Sequence, residues 1–246
     1  LSIKNFKMIV QYDGTDFLGW QVQAKGRTVQ GDIEAVLQKI HLHKKITLNG
    51  SGRTDSGVHA KGQVASIKID SVLTSEQLVK AINSGLEKDV RIMSCTEADE
   101  EFHARFSAKE RRYEYHTVTE ETPFTHKRFW GLKYDVDFNI LNDCASLVIG
   151  NHDFTAFCKA NAEVEHKRCI VFDSQWEKTS TGLTYHVKAN RFLQHMVRFL
   201  VGTMVEVGRG RMTMDDFKLF MDGGHPELAV VRAPAHGLYL AEVSYA

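Results

Sequence analysis

The feature that most limits what this chain can fold into is an alternation of two hydrophobic periods along its first part. The two-residue period of strands and the 3.6-residue period of helices follow one another as strand, helix, strand, strand, helix, strand. The predicted strands are residues 4–12, 46–48, 64–69 and 90–96, and the predicted helices are residues 28–40 and 74–86. This order is that of the ferredoxin-like split arrangement, in which an antiparallel sheet carries helices on one face.

The rest of the chain repeats this style more loosely. Its predicted strands are residues 111–118, 129–134, 169–176, 183–189 and 238–243, and its predicted helices are residues 140–148, 191–207 and 213–221. A seam is expected near residues 106–109, where the local charge has just changed sign. We therefore predict an α+β fold of two ferredoxin-like halves, residues 1–107 and 108–246.

Composition excludes several classes without selecting a function. The 246 residues contain 31 Lys and Arg against 31 Asp and Glu, so the net charge alone does not predict nucleic-acid binding. Basic side chains nevertheless concentrate in residues 102–133 and 185–212. No apolar run approaches the ~18 residues of a membrane span, and the first residues lack a secretory signal, so we expect a cytoplasmic protein away from membranes.

The four cysteines, at positions 95, 144, 158 and 169, form no CxxC pair. In a protein that is not secreted, this pattern favours reduced core residues over disulfides or a zinc site. No His-Glu-x-x-His sequence occurs either. We therefore predict no functional metal.

The densest special sequence is the segment 49–60, which reads NGSGRTDSGVHA. Its three glycines permit positive φ and close approach of a ligand to the backbone. The order of a phosphate-binding P-loop is absent, and so are the alternating ligands of a calcium loop. Chemistry alone leaves open a plain glycine-rich turn in which Asp55 caps Gly57 or a neighbouring amide.

Seven blocks spread over nearly the whole chain resemble the TruA family of tRNA pseudouridine synthases. They are YDGTDFLGWQ at 12–21 with RTVQG at 27–31, SGRTDSGVHA at 51–60, FHARF at 102–106, RYEY at 112–115, GNHDF at 150–154, FLQHMVR at 192–198 with VGT at 201–203, and RAPAHGLYL at 232–240. Their number and order make the resemblance highly specific.

The resemblance implies an isomerase that converts uridines 38, 39 and 40 of the tRNA anticodon stem-loop to pseudouridine. The N1–C1′ bond breaks, the base turns and C5 rejoins the ribose, so neither a metal nor a nucleotide cofactor is implied. Asp55 matches the catalytic nucleophile. Whether Asp55 attacks C1′, attacks C6 or assists a glycal route stays open.

The resemblance also places Arg198 against Asp55, and the local sequence supports a buried cation there. The predicted helix 191–207 is apolar nearly all round, except for a stripe of Arg191, His195 and Arg198 at helical spacing. A guanidinium on such a face is costly unless a carboxylate pairs with it. The alternative is that Arg198 reaches solvent or pairs elsewhere.

Three further positions match residues that contact the substrate in this family. Tyr113 matches the tyrosine that stacks on the target base, Arg53 the residue that helps extrude the nucleotide, and Leu238 an apolar contact to the flipped base. Tyr113 and Leu238 are equally compatible with core packing when taken alone. The expected phosphate contacts are Lys4 or Lys7, Lys25, Arg27, Arg105, Arg111, Arg112, Arg209 and, as a hypothesis, Arg191.

The resemblance further implies a homodimer and a central RNA-binding cleft where the sheets of the two halves meet, with helices on the opposite face. Two rival interpretations stay open at this point. One is a catalytically silent tRNA-binding protein on the same scaffold. The other is a pseudouridine synthase that acts on other uridines.

Overall fold

The structure is a computed structural model that describes residues 3–42, 44–159, 166–224 and 227–245. The fold is α+β. The chain divides into two compact units, Leu1–Lys109 with Leu240–Ala246, and Glu110–Tyr239. Most of the final strand, from Leu240 onward, thus belongs with the first unit, although sequence analysis assigned it to the second half. No helix in the described ranges has both the length and the apolarity needed to cross a bilayer.

The described residues form ten strands and five α-helices. The strands are β1 (Ile3–Tyr12), β2 (Asn49–Gly50), β3 (His59–Asp70), β4 (Val90–Ala98), β5 (Glu110–Val118), β6 (Trp130–Gly131), β7 (Gly150–Asp153), β8 (Arg168–Lys178), β9 (Leu183–Ala189) and β10 (Leu238–Ser244). The helices are α1 (Val29–Ile40), α2 (Ser75–Gly85), α3 (Phe138–Val148), α4 (Met196–Gly208) and α5 (Met214–Met221).

In the first unit, β1 lies between β4 and β3 and is antiparallel to both. The short β2 pairs with β3, and β10 is a further neighbour of β3. Helix α1 begins after Thr28, and α2 begins after Thr74, whose side chain and that of Gln77 form a reciprocal capping box. Thr74 is therefore the N-cap of α2.

The strand predicted to begin over 46–48 and to run into the glycine-rich segment is present as β2, but its ladder begins only at Asn49. Helix α1 provides the physical reason. Glu34 Oε1 accepts a hydrogen bond from the Leu48 amide at 2.8 Å, and Gln30 Nε2 donates to the Leu48 carbonyl at 3.1 Å. Both backbone groups of Leu48 are therefore satisfied by helix side chains, and this residue needs no strand partner.

In the second unit the strand order is β5-β9-β8-β7, with each neighbouring pair antiparallel. The predicted strands 169–176 and 183–189 form a hairpin as β8 and β9. Its turn is closed by the Thr179 amide, which donates to the Gly182 carbonyl at 3.0 Å. The weak strand predicted over 129–134 shrinks to the two residues of β6, which run parallel to β5.

The helix predicted to begin at Arg191 begins instead at Met196. His195 has φ 67°, and this left-handed conformation separates the preceding segment from the helix. Arg191 and His195 therefore do not share a helical face with Arg198, and the predicted stripe is wrong. Arg198 alone lies in the first turn of α4.

All four cysteines are buried free thiols, as predicted. Burial raises the pKa of Cys95 to about 11, of Cys144 to about 12 and of Cys169 to about 11. These thiols are therefore protonated at neutral pH and serve as packing groups.

Candidate functional site

The loop that carries Asp55 connects β2 to β3, and its first half is fixed to β3. The Ser51 amide donates to the Val64 carbonyl at 2.8 Å, and the Ser51 and Gln63 side chains hydrogen bond at 2.6 Å. Gln63 Nε2 also donates to the Gly52 carbonyl at 2.9 Å. Ser51 and Gln63 are buried, so the loop leaves the strand at a defined angle.

The second half of the loop is a tight turn from Asp55 to Val58. The Val58 amide donates to the Asp55 carbonyl at 3.1 Å, and Gly57 has φ 77°, the conformation of a glycine in a type II turn. The Gly57 amide donates to the Phe17 carbonyl at 3.3 Å. In a plain glycine-rich turn, the Asp55 side chain would cap the Gly57 amide. Here that amide bonds to the backbone of Phe17.

The segment 12–21 packs directly against this loop through two glycines. A β-carbon at Gly14 would lie 2.0 Å from the Val58 carbonyl oxygen, and one at Gly19 would lie 2.4 Å from that of Thr54. Gly19 also has φ 99°. Only glycine permits this approach, which explains why these two sequence blocks contain glycine at these positions.

Tyr12, Asp13 and His59 join the same two blocks, and sequence analysis gave them no role. The hydroxyls of Tyr12 and Thr54 are 2.8 Å apart. His59 is buried, its Nδ1 accepts from the Gly14 amide at 3.0 Å, and Asp13 Oδ1 lies 3.2 Å from the same nitrogen. Polar side chains beside glycines in both blocks were the sequence signal that could have predicted these contacts.

Asp55 and Arg53 are therefore carried together by one rigid loop. Asp55 is partly buried, whereas Arg53 is exposed. Arg53 Nε donates to Gln21 Oε1 at 3.0 Å. The loop consequently presents a carboxylate and a guanidinium two residues apart, on a backbone fixed by β3 and by segment 12–21.

Arg27, a predicted phosphate contact, lies in a different environment of the first unit. Its guanidinium bonds both oxygens of Asp89 and donates through Nε to Asp32 at 2.8 Å. It also lies 4.3 Å from the centre of the Phe17 ring. Hydrogen bonding to Asp89 raises the pKa of Arg27 above its ordinary value. These contacts describe a structural ion pair that joins α1 to the start of β4.

In the second unit, Arg198 is held by residue 233 of the segment that precedes β10. Arg198 Nε donates to the Ala233 carbonyl at 2.8 Å, and the Ala233 amide donates to the Arg198 carbonyl at 2.9 Å. The close approach of this segment to α4 requires Gly202, because a β-carbon there would lie 2.2 Å from the Val231 carbonyl oxygen. Thr203 Oγ1 accepts from the Val231 amide at 3.1 Å.

Arg198 also acts electrostatically on two neighbours in that unit. Burial raises the pKa of Tyr115, and the nearby positive charge of Arg198 partly offsets this effect. Burial lowers the pKa of His236, and Arg198 lowers it further. Arg198 is thus a partly buried cation close to both Tyr115 and His236.

Tyr113 and Leu238 are both buried side chains of the second unit. Tyr113 lies in β5, and its ring meets that of Phe192 edge-on at 5.0 Å between centroids. Leu238 is the first residue of β10 and is 6% exposed. Neither environment distinguishes a substrate contact from core packing, so their roles stay predictions.

The remaining predicted RNA contacts differ in how far they are engaged. Arg105 is exposed beside the Phe106 ring, and Arg191 is partly buried before α4. Arg111 Nη1 donates to the Asn190 carbonyl at 2.8 Å, and Arg112 Nη2 lies 3.3 Å from His186 Nδ1. Among the other basic residues, Lys4 pairs with Glu97 and Arg209 with Glu206.

Comparison with known proteins decides the family. A model of the tRNA pseudouridine synthase family matches residues 8–107 and 144–246. The chain belongs to this family. The relatives include proteins named tRNA pseudouridine synthase A from Bacillus pumilus, 43% identical over 242 residues, and from Chlorobium limicola, 40% identical over 245 residues. These matches cover 97% and 99% of this chain and 98% and 100% of the relatives.

A further relative with that name, from Bacillus subtilis, is 38% identical over 242 residues and covers 97% of this chain. The matched family segments contain Asp55, Arg198 and Leu238, and the gap between them contains Tyr113. Membership of the synthase family confirms the resemblance found in the sequence blocks and the prediction of a pseudouridine-forming isomerase.

Proposed function

We propose that this protein converts uridine to pseudouridine in the tRNA anticodon stem-loop, at positions 38, 39 and 40, with Asp55 as nucleophile. The observation that carries the proposal is the loop 51–58, which holds a partly buried carboxylate at its tip on a backbone fixed from two sides. Such preorganisation is what a nucleophile needs if it must meet a single atom of an extruded base.

The reaction is an isomerisation whose atoms balance without a second reactant. The N1–C1′ bond breaks, a C5–C1′ bond forms, C5 loses its proton and N1 gains one. Asp55 must be ionised to assist by attack at C1′, by attack at C6 or by the glycal route. Arg198 supplies the positive charge that keeps this carboxylate ionised when the base excludes water.

The other predicted site residues act on the position of the base. A uridine inside a stem leaves the stack at a cost of a few kcal/mol before it can react. Arg53, exposed beside Asp55, helps this extrusion by contacting the RNA that remains. Tyr113 stacks on the extruded base and Leu238 contacts it from an apolar side. Arg105, Arg111, Arg112 and Arg191 contact phosphates, and no metal or nucleotide cofactor takes part.

The deciding experiment assays pseudouridine in a tRNA transcript after incubation with the wild-type protein and with Asp55→Asn. We expect product at positions 38–40 with the wild type and none with the variant. Affinity for the tRNA should stay within about tenfold in Asp55→Asn, because phosphate contacts supply most of the binding free energy. Turnover by Asp55→Asn would end the nucleophile assignment.

Two outcomes of the same assay favour the rival functions. Tight tRNA binding by the wild type without any pseudouridine would favour a silent binding protein. Pseudouridine at uridines outside 38–40 would favour a synthase of different site specificity.

Three further properties belong to the proposal: the fold of the first unit, the oligomeric state and the cellular location. The strand order β4-β1-β3-β2 of the first unit supports a ferredoxin-like half. Exposed apolar side chains support a homodimer; they are Leu147, Ile149, Ile170 and Phe172 on neighbouring segments of the second unit. A sedimentation mass near one chain at micromolar concentration would overturn the dimer. Modification of tRNA supports a cytoplasmic location.

A further inference from the structure

A polar groove in the first unit has no role in the proposed chemistry. It has a volume of about 340 Å³, and the residues that concern its chemistry are Lys45, Thr47, Asn49, Ser66, Lys68 and His103. Lys68 and Ser66 lie on β3, and Asn49 lies opposite Ser66 on β2. None of the residues that line it carries a carboxylate. The lining therefore carries the positive charges of two lysines and no acidic side chain, as expected for a site that receives an anion.

The two lysines of the groove are not engaged elsewhere. Both side chains are exposed, and within residues 3–42, 44–159, 166–224 and 227–245 neither forms an ion pair with a carboxylate. This distinguishes them from Lys4, which pairs with Glu97 at 2.8 Å on the same sheet. Two unpaired cations that share one groove repel each other, and a bound phosphate would relieve that repulsion.

An exposed aromatic ring adjoins the groove. Phe106 is 77% exposed, and its ring lies 4.5 Å from that of His103, which also lines the groove. Arg105 lies 5.6 Å from the centre of the Phe106 ring on its own turn. A nucleobase can stack on a solvent-exposed aromatic ring, and a neighbouring cation and histidine favour such stacking.

The turn that presents Phe106 is rigid. The Ala104 amide donates to Ser66 Oγ at 3.1 Å, and the Tyr245 hydroxyl donates to the Ala104 carbonyl at 2.7 Å. The Ser107 amide and side chain both bond the backbone of His103. The exposure of Phe106 is thus imposed by a fixed backbone rather than by a loose loop, which indicates a surface prepared for a ligand.

We propose that this groove and Phe106 form a nucleotide subsite for the RNA substrate, separate from the reacting uridine. Lys45 and Lys68 bind backbone phosphate, the side chains of Thr47 and Asn49 bond the ribose, and Phe106 stacks on an unpaired base. The inference rests on the proposed function, because it takes the substrate to be a nucleic acid.

The subsite lies far from the catalytic loop along the same strand. Asp55 lies just before His59, the first residue of β3, whereas the groove lies further along this strand, at Ser66 to Lys68. At ~3.3 Å per residue, the stretch of β3 from His59 to Ser66 and Lys68 is roughly 20–30 Å long. The nucleotide bound there is therefore several nucleotides removed from the uridine that meets Asp55.

The test measures the affinity of a fluorescent tRNA transcript for the purified protein by anisotropy over a series of salt concentrations. The variants are the double variant Lys45→Ala/Lys68→Ala, and Phe106→Ala with Phe106→Trp as its conservative partner. Lys80→Ala is the matched control, because Lys80 is an exposed lysine on α2, away from the groove. All substituted side chains are exposed, so the variants should fold.

We expect the double lysine variant to bind at least about tenfold more weakly and to lower the slope of log K against log salt by roughly 1.4–1.8. Phe106→Ala should weaken binding on the order of tenfold at unchanged slope, and Phe106→Trp should restore it. Lys80→Ala should match the wild type. Wild-type affinity and slope in the double variant would overturn the subsite.

The two proposals fail in distinguishable ways. An active wild type whose groove variants bind tRNA normally would remove the subsite and leave the proposed function intact. A wild type that forms no pseudouridine, but whose groove variants lose RNA affinity, would remove the proposed function and leave the groove as an RNA site.

Discussion

The Nε of Arg198 donates to the carbonyl of Ala233 at 2.8 Å, while the amide of Ala233 donates to the carbonyl of Arg198 at 2.9 Å. This reciprocal pair fixes both the backbone and one edge of the guanidinium. The segment that contains Ala233, more than thirty residues away in the sequence, therefore sets the direction of the other edge of the guanidinium fork of Arg198. Lysine has a single nitrogen, so it cannot both donate to the Ala233 carbonyl and present a two-nitrogen edge to a carboxylate.

Arg198→Lys should consequently reduce pseudouridine formation by roughly a hundredfold although the positive charge is kept. The measurement is the single-turnover rate on a tRNA transcript at saturating protein. Arg211→Lys, the same exchange at an exposed residue just after α4, is the matched control and should leave the rate unchanged. Equal rates for Arg198→Lys and the wild type would contradict the proposed role of the fork.

Gly19→Ala should disturb the Asp55 loop. The new β-carbon would lie 2.4 Å from the Thr54 carbonyl oxygen and would have to adopt φ 99°. We expect a loss of at least about 2 kcal/mol in the free energy of unfolding, measured by urea denaturation, together with reduced turnover.

Gly210→Ala separates the two causes of that loss. Gly210 also has positive φ, at 74°, but a β-carbon there meets nothing within 4 Å among the described residues. The free energy of unfolding of Gly210→Ala should fall by only about 1 kcal/mol, which is the cost of the left-handed conformation for alanine. If Gly19→Ala were no more destabilising than Gly210→Ala, the close packing of segment 12–21 on the loop would be refuted.

Arg27→Ala should act on stability rather than primarily on RNA affinity. Its removal leaves Asp89 and Asp32 without their shared partner, which we expect to lower the free energy of unfolding by about 1–3 kcal/mol. A double-mutant cycle with Asp89→Asn should reveal coupling between the two residues. Full stability in Arg27→Ala, combined with a lower salt slope of tRNA binding, would instead support the phosphate contact predicted from sequence.

The buried thiols predict a specific loss of stability in alkali. Burial raises the pKa of Cys144 from 9.0 to about 12, so this thiol stays neutral in the folded chain while it ionises in the unfolded chain above pH 9. Its contribution is fully present below pH 9 and is lost as the pH rises towards 12, by roughly 1 kcal/mol at pH 10. Urea denaturation at pH 8, 9 and 10 measures this loss.

Cys144→Ala isolates the effect of that thiol. The variant is less stable at pH 8 because a buried side chain is shortened, yet its stability should fall less steeply between pH 9 and 10 than that of the wild type. Parallel pH profiles for the two proteins would show that Cys144 is not shielded as described.

Local sequence signals predicted the elements whose cause is local. The hydrophobic faces of α1 and α2 and the alternation of β5 and β9 are properties of contiguous residues, and their bounds agree within a few positions. The failures have tertiary causes. Leu48 leaves the ladder because Glu34 and Gln30 reach it from α1, and α4 starts late because His195 adopts φ 67°.

The site divides in the same way. The block resemblance selected the Asp55 loop and Arg198 as the predicted site residues, and their roles stay predictions. It could not show that the buried His59 ties Gly14 to this loop or that Ala233 fixes Arg198, because each contact joins backbone atoms to side chains from remote segments. Nor could a count of charges distinguish Arg27, which bonds two carboxylates, from Lys68 of the groove, which forms no ion pair in the part of the chain that the structure describes.

Residues 240–246 complete the first compact unit, where Tyr245 bonds Ala104 and the Ser244 carbonyl accepts from the Lys109 amide. A ribosome therefore has to translate the entire second unit before the first can acquire its last strand. Until then the edge of β3 that pairs with β10 stays unpaired in the nascent polypeptide. The unit that carries Asp55 can therefore complete its sheet only after residues 110–239 have been synthesised.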